Sequence, residues 1–70
     1  MINTFICEGF SNSDYDALEK CLLNVNRVIE ENDISRGNII EYVTRHYEKE
    51  INGTSFYTYE VTMTFWKIVI

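Results

Sequence analysis

Few side chains in this chain carry reactive chemistry: one histidine, His46, two cysteines, Cys7 and Cys21, and eleven acids. Histidine ordinarily titrates near neutrality and serves as a general base when a nucleophile or carboxylate is held beside it. The sequence around His46 offers no such partner at motif spacing, so a partly buried, hydrogen-bonded histidine is expected. A zinc site draws on closely spaced pairs of cysteine and histidine ligands. Cys7, Cys21 and His46 stand far apart, and two buried, reduced thiols are expected instead, with a Cys7–Cys21 bridge as the alternative. Phosphate-cradling loops need clustered glycines, whereas Gly9, Gly37 and Gly53 are scattered. These patterns assign no catalytic, metal or cofactor-binding residue, and no enzyme is expected.

Charge narrows the partners. The net charge is −5, and contact with nucleic-acid phosphates needs a basic footprint. Neither direct nucleic-acid binding nor attachment to an anionic membrane is expected. No stretch approaches the ~20 apolar residues that cross a bilayer. Met1 to Phe10 lacks the basic start of a secretory leader, which points to the cytoplasm. Proline is absent while Asn, Ile and Tyr are abundant, a bias of AT-rich coding in some bacteria and their phages. Six acids lie between Asp14 and Asp33 against only Lys20 and Arg27. Such a segment is a solvated helix face, or else a patch for a basic partner or a mimic of nucleic-acid phosphates.

Seventy residues make a single domain, residues 1–70, with a modest core. Ile2 to Phe10 is rich in β-formers and reads as a strand that Gly9 ends. Ser11 is the expected N-cap of a following helix, with Phe10 and Tyr15 as a hydrophobic staple. The helix body runs to about Glu31. Tyr15, Leu18, Leu22, Val25 and Ile29 recur at three- and four-residue spacing and form the expected buried stripe. Leu23 projects among charged residues on the wet side. Glu30, Glu31 and Asp33 crowd the negative end of the helix dipole, where cations are favoured.

Asn38 to Ile51 and Thr54 to Ile68 read as the arms of a β-hairpin around Asn52-Gly53, whose residue types suit a turn with two positive φ angles. A two-residue turn sets Ile51 opposite Thr54 and Arg45 opposite Glu60. One face then collects Ile40, Tyr42, Thr44 and His46 against Phe65, Met63, Val61 and Tyr59. The other face carries Ile39, Trp66 and Ile68 towards the open end. The expected architecture is α+β: a βαββ two-layer sandwich with a three-stranded sheet, order 1-3-2, on one helix.

The strand, capped helix and Asn-Gly hairpin resemble the dodecins, small cytoplasmic βαββ proteins that assemble as dodecamers and hold flavin between subunits. The stretch Phe56 to Phe65 is similar to their last strand, and Ser11 to Ala17 to their helix start. Flavin-binding dodecins carry a tryptophan where this chain has Ile39-Ile40, and a glutamine where it has Glu60. The resemblance therefore implies assembly, and a small-molecule-binding oligomer as an alternative reading, without an inherited flavin site. Ala17-Leu18-Glu19, Asn26, Ile39-Ile40 and the Tyr-rich last strand also resemble a family of small acidic sporulation-associated proteins. The leading expectation is a non-enzymatic interaction protein that self-associates and binds a protein partner, with a phage or accessory bacterial inhibitor of a host protein as its setting. Its expected protein-binding residues are Leu23, Glu30, Glu31, Asp33, Ile39, Trp66 and Ile68.

Overall fold

The computed structural model describes residues 1–67. Strand β1 (Ile2–Ser11) leads into helix α1 (Asp14–Glu31). A short 3-10 turn, Arg36–Asn38, precedes strands β2 (Ile39–Ile51) and β3 (Thr54–Trp66). The sheet order is β1-β3-β2, with β3 antiparallel to both neighbours. This is the expected βαββ arrangement.

The hairpin turn is as its residues dictate. Asn52 and Gly53 both take positive φ, 51° and 80°, and the register runs from Ile51–Thr54 through Arg45–Glu60 to Glu41–Thr64. Beyond Glu41 a bulge intervenes and Ile39, not Ile40, pairs with Phe65. An extra residue in one strand reverses the facing of everything past it. Ile39 consequently packs against the core, and Ile40 is exposed. The expected position of Ile39 on the outer face is thus corrected.

The helix begins later than expected. β1 does not end at Gly9 but continues to Ser11, which pairs with Tyr57. Ser13 is the N-cap; its Oγ accepts from the Asp16 backbone N–H at 3.4 Å. Ser11 Oγ instead accepts from the Ser13 N–H at 3.2 Å. The staple does not form, because Phe10 stacks on Phe56 and Tyr15 is 71 % exposed.

The buried helix stripe is also turned from the expected one. Ala17, Cys21, Val25 and Val28 are buried, while Leu22 is exposed. The cause lies at Gly9, where a Cβ would land on the Ala17 carbonyl oxygen and the Cys21 backbone nitrogen. A helix this close to a strand admits only small side chains at the contact. Ala17 and Cys21 meet that condition; Tyr15 and Leu22 do not.

The helix stops through a Schellman arrangement. The Ile34 N–H donates to the Ile29 carbonyl at 3.0 Å, and the Asp33 N–H to that of Glu30 at 3.4 Å. Asp33 supplies the left-handed residue, φ 49°. Asn32 Nδ2 donates to the Val28 carbonyl at 2.9 Å. The core joins Cys7, Cys21, Val25, Val28, Val61, Met63 and Phe65. Because α1 packs on β1 and β3, the length of β2 beyond Ile39 remains exposed.

Candidate functional site

Alternation sorts side chains between the two faces of the sheet. Val61, Met63 and Phe65 go under the helix, so Thr58, Glu60, Thr62, Thr64 and Trp66 go to the other side. Register carries that assignment across the sheet: Ile2 lies opposite Trp66, Ile6 opposite Thr62, and Phe10 opposite Thr58. On β2, Val43 and Tyr47 share the same face. No described element covers it. Ile6 is 64 % exposed and Trp66 49 %, and Ile2, Phe10, Val43 and Tyr47 are exposed with them. Side-chain contacts confirm that these residues share a surface. Thr4 and Thr64 hydroxyls meet at 3.1 Å, and the Phe10 and Phe56 rings stack at 5.2 Å. Scattered surface apolar residues are ordinary; here Ile2 and Trp66, Ile6 and Val43, and Phe10 and Tyr47 recur on alternate rows of one face, with Thr and charged residues on the rows between.

The edges of the sheet are guarded differently. Along β1, Asn24 Nδ2 donates to the Glu8 carbonyl at 2.6 Å and Lys20 Nζ to that of Phe10 at 3.4 Å. Two backbone acceptors on that edge are thereby occupied by the helix's own side chains. β2 carries Glu41, Arg45, Glu48, Lys49 and Glu50 along its length, and charge on an edge strand discourages pairing with another chain. The open face is the less protected surface.

A polar cluster joins the hairpin to the start of α1. Tyr59 Oη donates to Asp14 Oδ1 at 2.7 Å, and His46 Nε2 lies 3.4 Å from the same oxygen. The imidazole stacks on the Tyr59 ring at 4.1 Å. The hydrogen bond to Asp14 pushes the Tyr59 phenol above its ordinary pKa, with burial and the carboxylate's charge adding to it. Asp14 also suits the positive end of the helix dipole. His46 thus has a carboxylate neighbour thirty-two positions away in sequence, which local spacing gives no means of finding. The side chains of both remain about half exposed. What the arrangement accomplishes is to pin the hairpin to the helix.

The expected binding residues do not form one site. Trp66 lies on the open sheet face. Leu23 is exposed on the helix, where with Tyr15, Leu18 and Leu22 it lines a shallow depression of about 150 Å³. Glu30 and Glu31 are exposed in the last helical turn, and Asp33 serves the helix stop. Ile39 belongs to the core margin, and Ile68 lies outside the described residues. Sequence reasoning missed Ile2, Ile6 and Phe10. Strand alternation in β1, counted from Cys7 as an inward residue, is the signal that finds them.

Both cysteines are free and buried. Burial pushes their thiols above the ordinary pKa; Arg27 partly offsets this at Cys7, and the neighbouring Cys7 adds to it at Cys21. Cys21 Sγ donates to the Cys7 carbonyl at 3.6 Å. Among the described residues no His, Cys, Asp and Glu group has the geometry of a metal site, and no helix is long and apolar enough to cross a membrane. No protein-family model, curated protein or solved structure matches the chain.

Proposed function

We propose that this protein works by binding rather than by chemistry, as a small acidic interaction protein that self-associates through the open face of its sheet and engages a protein partner. Inhibition of a host protein by a phage or accessory bacterial protein is the biological setting that fits such a molecule. One observation carries the reading: Ile2, Ile6, Phe10, Val43, Tyr47 and Trp66 share a face that no described element covers. Exposed apolar surface is costly in water, and a second layer removes that cost. The guarded edges favour the face over strand addition as the route to assembly.

Light-scattering mass across a concentration series tests self-association. The expected result is a mass that rises above the 8.3 kDa chain with concentration, and falls back to it on Ile6→Glu with the circular dichroism spectrum unchanged. A strict monomer at millimolar concentration rejects the proposal.

A further inference from the structure

We infer that the occupant of the open face is a second copy of this chain, related by a two-fold axis that crosses the strands over the row Ile6–Thr62–Val43. This rests on the self-association proposed above and adds its geometry. The register defines the rows on that face. Successive rows are Ile2–Trp66, Thr4–Thr64–Glu41, Ile6–Thr62–Val43, Glu8–Glu60–Arg45 and Phe10–Thr58–Tyr47. In a face-to-face pair with its axis across the strands, each strand lies over its own copy and rows exchange about the axis.

With the axis over Ile6–Thr62–Val43, the rows on either side exchange. Glu41 then lies over Arg45 of the second copy, twice by symmetry. Thr64 lies over Glu60 and Thr4 over Glu8, so that whichever hydroxyl accepts in the Thr4–Thr64 bond keeps its proton for a carboxylate of the second copy. Ile2 lies over Phe10, and Ile6 and Val43 meet their own copies at the centre.

Other axes across the strands fail on charge. Over Glu8–Glu60–Arg45, the axis sets each of those charges against itself. Over Thr4–Thr64–Glu41, it opposes Glu41 to Glu41. Over Phe10–Thr58–Tyr47, it brings Arg45 against Lys49, which pairs with Phe56 one row further. An axis midway between the Ile6 and Glu8 rows sets Glu8 against Ile6 and Arg45 against Val43, and one midway between the Thr4 and Ile6 rows sets Glu41 against Val43. An axis running along β3 instead pairs Glu8 with Arg45 but lays Glu60 over Glu60 at the centre of the interface.

The face is small. Ten residues of β1 at a rise of about 3.3 Å, and three strands about 4.8 Å apart, give a footprint of roughly 33 by 14 Å. That lies at the small end of specific interfaces, so association is expected to depend on concentration and on salt.

Charge reversal provides the test. Glu41→Arg opposes two arginines in each half of the pair, and Arg45→Glu opposes two glutamates. Each variant alone is expected to dissociate at least about tenfold more readily than the native chain. Mixed in equal amounts they restore both opposite-charge contacts, and a heterodimer appears by native mass spectrometry or light scattering. A native chain that stays monomeric overturns this geometry together with the self-association proposal. A native dimer that both variants leave intact overturns only the geometry. So does a mixture that fails to associate, or one in which Glu8→Arg, not Glu41→Arg, rescues Arg45→Glu, since that places the axis along β3.

Discussion

Gly9→Ala is the substitution whose effect the fold specifies most sharply. The added methyl meets the Ala17 carbonyl oxygen, the Cys21 backbone nitrogen and, at 3.0 Å, the Cys21 Cα. All three are helix backbone, so no flexible side chain can yield, and α1 must lift from β1 or slide along it. Overpacking costs about 1–3 kcal/mol where neighbours adjust, and backbone obstacles place this case near 3 kcal/mol. A domain of this size has roughly 3–10 kcal/mol of stability in total. The variant therefore loses a large fraction of it. With a urea slope of about 1 kcal/mol/M, the unfolding midpoint falls by about 3 M, or the folded state is lost outright. The assay is urea unfolding followed by Trp66 fluorescence and far-ultraviolet circular dichroism at low protein concentration, where association contributes least. Gly37→Ala is the matched control, because nothing lies within 4 Å of its added Cβ. It is expected to be neutral or stabilising by about 0.5 kcal/mol through the unfolded chain. Equal midpoints for the two variants would refute the close approach of helix to strand on which the turned helix stripe depends.

Other substitutions probe separate features. Asp33→Gly removes both the strain of a side chain at φ 49° and a negative charge at the helix C-terminus; thermal unfolding should show a gain of about 1 kcal/mol, and a loss would contradict the Schellman stop. The Tyr59 phenol has a folded-state pKa above its unfolded value, so its bond to Asp14 contributes fully below about pH 10 and is lost as pH rises through the raised folded pKa. Native stability should therefore fall across that alkaline window more steeply than that of Tyr59→Phe, and parallel curves would dissociate the bond from stability. With both thiols buried and held protonated, a thiol reagent at neutral pH should label neither until the chain unfolds. Labelling of the native protein at the rate of a free cysteine would count against the core described here.

Much of this architecture is legible in the chain because its signals are local. Asn52-Gly53 selects its turn by the backbone angles those residues tolerate, and the two-residue turn then propagates one register from Ile51 as far as Glu41. The helix end near Glu31 and the exposure of Leu23 are legible for the same reason. Errors arise where one element answers to another. Ile40 becomes the extra residue of a bulge, which sends Ile39 inward, and nothing local to Ile39-Ile40 announces it. Tyr15 and Leu22 look like core residues by hydropathy, but the space over Gly9 accepts only Ala17 and Cys21.

The candidate interaction surface divides in the same way. From the sequence alone come the acidic charge, the absence of a motif for chemistry, the strand order and the facing of Trp66. Tertiary structure alone decides that α1 sits over β1 and β3 and not over β2, that Asn24 and Lys20 reach round to occupy β1 carbonyls, and that Asp14 meets His46 and Tyr59. Hydrogen-bonding and turn preferences are properties of neighbours in the chain, whereas coverage depends on how closely two backbones approach. Here that distance is set where Gly9 lies against Ala17.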